Sequence, residues 1–119
     1  MSRARLAVAV GVLLVFAAVG GIIIVANQHH GGQSVTFNVT VTGAKKMTPS
    51  NLAAHQNDTV TINITSDTDG EVHLHLYDIP FDTKAGQTVT HTFKADKTGN
   101  CAIEWESTST PLGQLTVSP

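Results

Sequence analysis

The sequence predicts an all-β sandwich preceded by one N-terminal transmembrane helix. Three observations carry this. Apolar and polar residues alternate with period two from Ser34 to the end, glycine, aspartate and asparagine punctuate the alternating runs, and one uncharged apolar run fills residues 6–26. A chain of 119 residues has room for one domain beyond that run. With 41% hydrophobic and 13% charged residues it is too apolar to be a disordered protein. The formal net charge is −2, and after Arg5 the only adjacent basic pair is Lys45–Lys46. No basic face can form, which excludes nucleic acid as a partner, because phosphate neutralisation needs one. Cys101 is the only cysteine, so no intramolecular disulfide can form.

The run "LAVAVGVLLVFAAVGGIIIVA" at 6–26 carries no charge. As a helix rising about 1.5 Å per residue it matches the roughly 30 Å hydrocarbon layer of a bilayer. Arg3 and Arg5 precede it, and the next basic side chain is Lys45. That asymmetry predicts a cytoplasmic tail at 1–5, a signal-anchor helix at 6–26 in the cell membrane, and everything beyond it outside, in a periplasmic or extracellular space. A cleaved secretory signal fits less well: the run is long for one, and Ile24 before Val25–Ala26 spoils a small-x-small cleavage site. "NQHHGGQ" at 27–33 reads as a flexible stalk, in which the pair His29–His30 could bind a surface metal but more simply is solvated.

Residues 34–119 carry five lysines against nine acids. "SVTFNVTVT" sets Val35, Phe37, Val39 and Val41 against threonine and asparagine. "TVTINIT" does the same with Val60, Ile62 and Ile64, and "TVTHTFKA" with Val89, His91, Phe93 and Ala95. "CAIEWE" puts Cys101, Ile103 and Trp105 on one face, and Leu115 and Val117 belong to a last strand. Such Val/Thr density suits a half-buried pleated surface. Gly43, "DTDG" at 67–70, "KAGQ" at 84–87 and "DKTGN" at 96–100 supply the turns. Strands this short and evenly spaced predict antiparallel pairing. Only "TPSNLAAHQ" at 48–56 offers a helical turn, capped by Ser50.

The order of these pieces resembles the cupredoxin family, specifically its membrane-anchored, extracytoplasmic members. His75–Leu76–Tyr77 matches the family's His-x-aromatic step, Ala85–Gly86 the following turn, "HTFKADKTGN" the approach to the next strand, and "PLGQLTVSP" the final strand. The resemblance implies a cupredoxin-like Greek-key β-sandwich over 34–119. It also places His75 at the first copper ligand, Cys101 at the usual tyrosine and Trp105 at the cysteine that would bind copper. After Trp105 the chain has no histidine, methionine or cysteine. A blue-copper centre needs a thiolate, two imidazoles and usually an axial methionine, several of them from that loop. The sequence therefore predicts no blue-copper electron-transfer site, with an indole filling the position of the thiolate.

"EVHLHLYDIP" at 71–80 places His73 and His75 at i and i+2, so on a strand both project from one face and could chelate one ion. Copper or zinc suits such nitrogen ligands. Completion of the site falls to His91, Cys101, Glu104 or Glu106. The alternation turns the histidines to solvent, opposite Val72, Leu74 and Leu76, whereas the family resemblance turns His75, Tyr77 and Ile79 to the core. Read singly, His91 suits a core or rim position, and Cys101 a small buried hydrophobe. No nucleophile elbow, zinc-protease motif or phosphate loop is present, and the chain reads as a non-enzyme. Asn38, Asn57 and Asn63 open glycosylation sequons.

Two functions fit these features. One is a membrane-tethered binding or structural module for a protein partner at the cell surface, with no cofactor. The other is a copper or zinc binding or delivery protein built around His73, His75 and His91.

Overall fold

The computed structural model describes residues 31–119; the expected tail at 1–5, the helix at 6–26 and the first part of the stalk lie outside the described residues. Nine strands follow in order: β1 (Ser34–Thr42), β2 (Lys46–Thr48), β3 (Asn51–His55), β4 (Thr59–Ser66), β5 (Gly70–Leu74), β6 (Ile79–Thr83), β7 (Thr88–Lys94), β8 (Gly99–Trp105) and β9 (Thr110–Ser118). A 3-10 turn, Glu106–Thr108, joins the last two. The strands form two sheets, ordered β2-β1-β4-β7 and β3-β9-β8-β5-β6. Among the described residues there is no α-helix.

Alternation determines which side chains meet between the sheets. Val60, Ile62 and Ile64 of β4 are fully buried and face Val72, Leu74, Phe81, Ile103 and Leu115 of the other sheet in one core. Each such side chain contributes roughly 1.5–3 kcal/mol on burial. The intervening threonines and asparagines of β1, β4 and β7 stand outward, where Thr61–Thr92 (2.9 Å) and Thr65–Thr88 (2.8 Å) bond across strands.

Two expectations are corrected. Pairing is not antiparallel throughout: β1 runs parallel to β4, and β3 parallel to β9. The chain crosses between sheets before returning to these partners, and alternation constrains the face of a strand but not its direction. Residues 48–56 hold no helical turn. They form β3, because Leu52 and Ala54 reach the core at spacing two while the strand pairs with β9.

One buried carboxylate ties the two ends of this corner together. Asp58 accepts the Gln33 amide (3.0 Å) through Oδ1 and the His55 amide (2.8 Å) through Oδ2, and its own carbonyl accepts the Ala95 amide (2.8 Å).

Candidate metal site on the outer face of the five-stranded sheet

Strand β5 sends Val72 and Leu74 into the core, so His73 must stand on the sheet's outer face. There it is opposite Pro80 of β6 and Glu104 of β8. The strand ends at Leu74, but the His75 amide donates to the Ala102 carbonyl (2.9 Å), carrying the β8 pairing one residue further. His75 thereby comes beside His73, with ring centroids 4.4 Å apart and planes tilted by 60°.

Carboxylates surround the two rings. His73 Nε2 lies 2.7 Å from Asp78 Oδ1, and His75 Nε2 lies 3.2 Å from Glu104 Oε1. His73 Nδ1 lies 3.2 Å from Glu106 Oε1 without hydrogen-bond geometry, and this shielded nitrogen has no hydrogen-bond partner among the described residues. His73, His75 and Glu106 each offer a ligand atom within 4.8 Å of the others. The strand bulge between Ile103 and Glu104, where β9 gains a residue, sits next to this group. Bulges of this kind re-aim neighbouring side chains. Two imidazoles and one carboxylate, with the rim open to solvent, can bind a borderline divalent ion such as Zn²⁺ or Cu²⁺.

The other sequence candidates lie elsewhere. His91 pairs with Ile62 on β4, so it faces inward from the four-stranded sheet, and its ring meets Phe81 edge-on at 4.8 Å. Cys101 is fully buried on the core face of β8, the opposite face from Glu104. Burial pushes its thiol above the usual cysteine range, partly offset by Lys97. Of the candidate carboxylates, Glu106 joins the histidines and Glu104 holds His75. Asp78 was not foreseen. Its only sequence signal is an aspartate just before Ile79–Pro80, a place for a left-handed turn residue.

The two expectations for residues 75–79 divide. His75 is turned to the outer group, and Leu76 is 46% exposed, an outward apolar side chain that alternation alone does not give. Tyr77 and Ile79 pack half-buried against the core, as the resemblance implies. Trp105 ends β8 buried and lies so close to Gly70 that a β-carbon there would come 2.3 Å from its Cζ2.

No protein-family model and no curated protein sequence matches this chain. Among solved structures it is similar to a copper binding protein determined in its apo form by NMR, at 13% identity over 76% of this chain and 92% of that one, with a TM-score of 0.61. It is similar to a chain of a heme-copper terminal oxidase dimer, at 12% identity over 84% and 79%, with a TM-score of 0.59. It is also similar to the multicopper oxidase mgLAC, at 17% identity over 72% of this chain, with a TM-score of 0.53. This chain spans 39% of that oxidase's length. With two facing sheets in this order, and these likenesses in fold, the described residues form a cupredoxin-like domain.

Proposed function

We propose that this chain is a metal-binding cupredoxin-like module that holds one Zn²⁺ or Cu²⁺ ion through His73, His75 and Glu106. The observation that carries this reading is the shielded His73 Nδ1, which has no hydrogen-bond partner among the described residues and lies 3.2 Å from the Glu106 carboxylate beside a second imidazole. A buried ring nitrogen of this kind ordinarily has a partner.

A blue-copper electron-transfer centre does not suit these residues. Cys101 is on the core face, Trp105 ends the strand, and residues 106–119 contain no histidine, methionine or cysteine. Catalysis is not part of the proposed role: the thiol is buried and the Glu104 carboxylate is engaged by His75. Membrane tethering through 6–26, with the domain outside the cell membrane, is proposed on the sequence alone, from the uncharged run and the arginines before it.

The test is calorimetric titration of the 119-residue chain in detergent with Zn²⁺ and with Cu²⁺, with His29 and His30 replaced by alanine to remove stalk binding. We expect one ion per chain, and binding weakened at least tenfold by His73→Ala, His75→Ala or Glu106→Ala. Absence of stoichiometric binding, or binding indifferent to all three substitutions, would overturn the reading.

A further inference from the structure

Residues 75–78 form a turn with two unusual backbone conformations. Leu76 has φ +72° and Asp78 φ +55°, the left-handed region that L-residues rarely occupy and that disfavours a bulky residue such as leucine. Surrounding contacts impose this shape. The Tyr77 hydroxyl donates to the Lys97 carbonyl and accepts from the Lys97 amide (3.1 Å), clasping the turn to the β7–β8 connection. The Tyr77 ring packs on Phe93 at 4.9 Å between centroids. Behind it, the His75 amide is fixed on Ala102. The result of this constrained turn is that Asp78, five residues after His73, folds back onto the His73 ring at 2.7 Å.

Resting on the reading that His73, His75 and Glu106 hold an ion, we infer that Asp78 is a positioning residue that makes His73 an Nδ1 ligand. A carboxylate oxygen accepts, so the ring nitrogen facing it carries the proton. With Nε2 protonated and donating to Asp78, Nδ1 is left with its lone pair, shielded from solvent and 3.2 Å from Glu106 Oε1. Fixing one ring nitrogen so that the other can ligate is how outer carboxylates orient metal-bound histidines, and their loss typically lowers metal affinity 10–100-fold. The strained turn and the Tyr77 clasp then have a common consequence: both hold this one carboxylate in place.

The experiment reads the His73 tautomer and zinc affinity together, in the 119-residue chain in detergent with His29 and His30 replaced by alanine. Long-range nitrogen–proton NMR correlations should show His73 as the Nε2–H form without metal, and Zn²⁺ should then shift Nδ1. Asp78→Gly removes the carboxylate while tolerating the left-handed backbone. It should abolish the tautomer preference and weaken Zn²⁺ binding roughly 10–100-fold. Asp78→Asn, whose carbonyl still accepts and which also tolerates this backbone, should retain both. An Nδ1–H tautomer in the metal-free chain, a Zn²⁺ shift at Nε2, or unaltered affinity in Asp78→Gly would overturn the inference while leaving the metal site standing. No Zn²⁺-dependent shift in any of the His73 or His75 ring nitrogens would overturn the site itself, and the inference with it.

Discussion

Gly70 and Trp105 share one space: a β-carbon at residue 70 would lie 2.3 Å from Cζ2 of the indole. The contact locks the start of β5 against the end of β8, the two strands that carry His73 and Glu104. Gly70→Ala should therefore force the indole aside and destabilise the domain by about 1–3 kcal/mol, the usual range for overpacking. Trp105→Ala should cost about 3–5 kcal/mol through the cavity it leaves. Urea unfolding followed by circular dichroism measures both. Unchanged midpoints would mean that the indole does not fill this corner.

His91 and His75 provide a contrast. His91→Ala should leave zinc affinity unchanged, since its ring faces Phe81 inside the sandwich and not the outer group. It should lower stability through the lost edge-on contact, a term of about 0.5–1.5 kcal/mol. His75→Ala should do the reverse, because that ring is 42% exposed but sits in the cluster. Parallel titration and unfolding of the two variants separate these outcomes.

Legibility followed geometry. Where a strand has one buried face, as in "TVTINIT" or "CAIEWE", alternation identified the core residues directly, because the side-chain period of a strand is two. Strand direction was not legible, since β1 and β4 look the same in composition whether they pair parallel or antiparallel. Residues 48–56 offer a helical turn capped by Ser50, but Leu52 and Ala54 fall at strand spacing and the pairing of β3 with β9 decides the conformation. His73 and His75 were legible as a pair, and Glu106 only as one of several carboxylates. Asp78 was hidden because it reaches His73 through a left-handed turn, which no periodicity describes.

Cys101 should be inert in the native protein. It is fully buried, and burial pushes its pKa up from the ordinary 9.0. Burial also pushes the Tyr77 hydroxyl above its ordinary 10.0. For both groups the unfolded chain loses its proton first as pH rises, so stability is full below the unfolded pKa values and falls as pH climbs past them. Thermal unfolding should show the melting temperature declining above about pH 9, with a shallower decline in Cys101→Ala. A thiol reagent should modify Cys101 only on unfolding; rapid native modification would contradict its burial.

Asp58 has a structural role of the same directness. Its carboxylate accepts the amides of Gln33 and His55, so Asp58→Ala leaves two backbone donors without their acceptor. A loss of about 1–3 kcal/mol is expected from removing this buried acceptor. Hydrogen exchange at Gln33 and His55 should accelerate more than at Ile62 in the core. Uniform exchange in wild type and variant would contradict the role of this carboxylate.

X-ray absorption of the zinc-loaded chain reads the location of the proposed ion directly. Imidazole nitrogens and carboxylate oxygen at about 2.0–2.2 Å, with no sulfur shell, are expected if the outer-face histidines and Glu106 hold the metal. A scatterer at about 2.3 Å would place Cys101 on the metal and contradict a site built on the opposite face of β8.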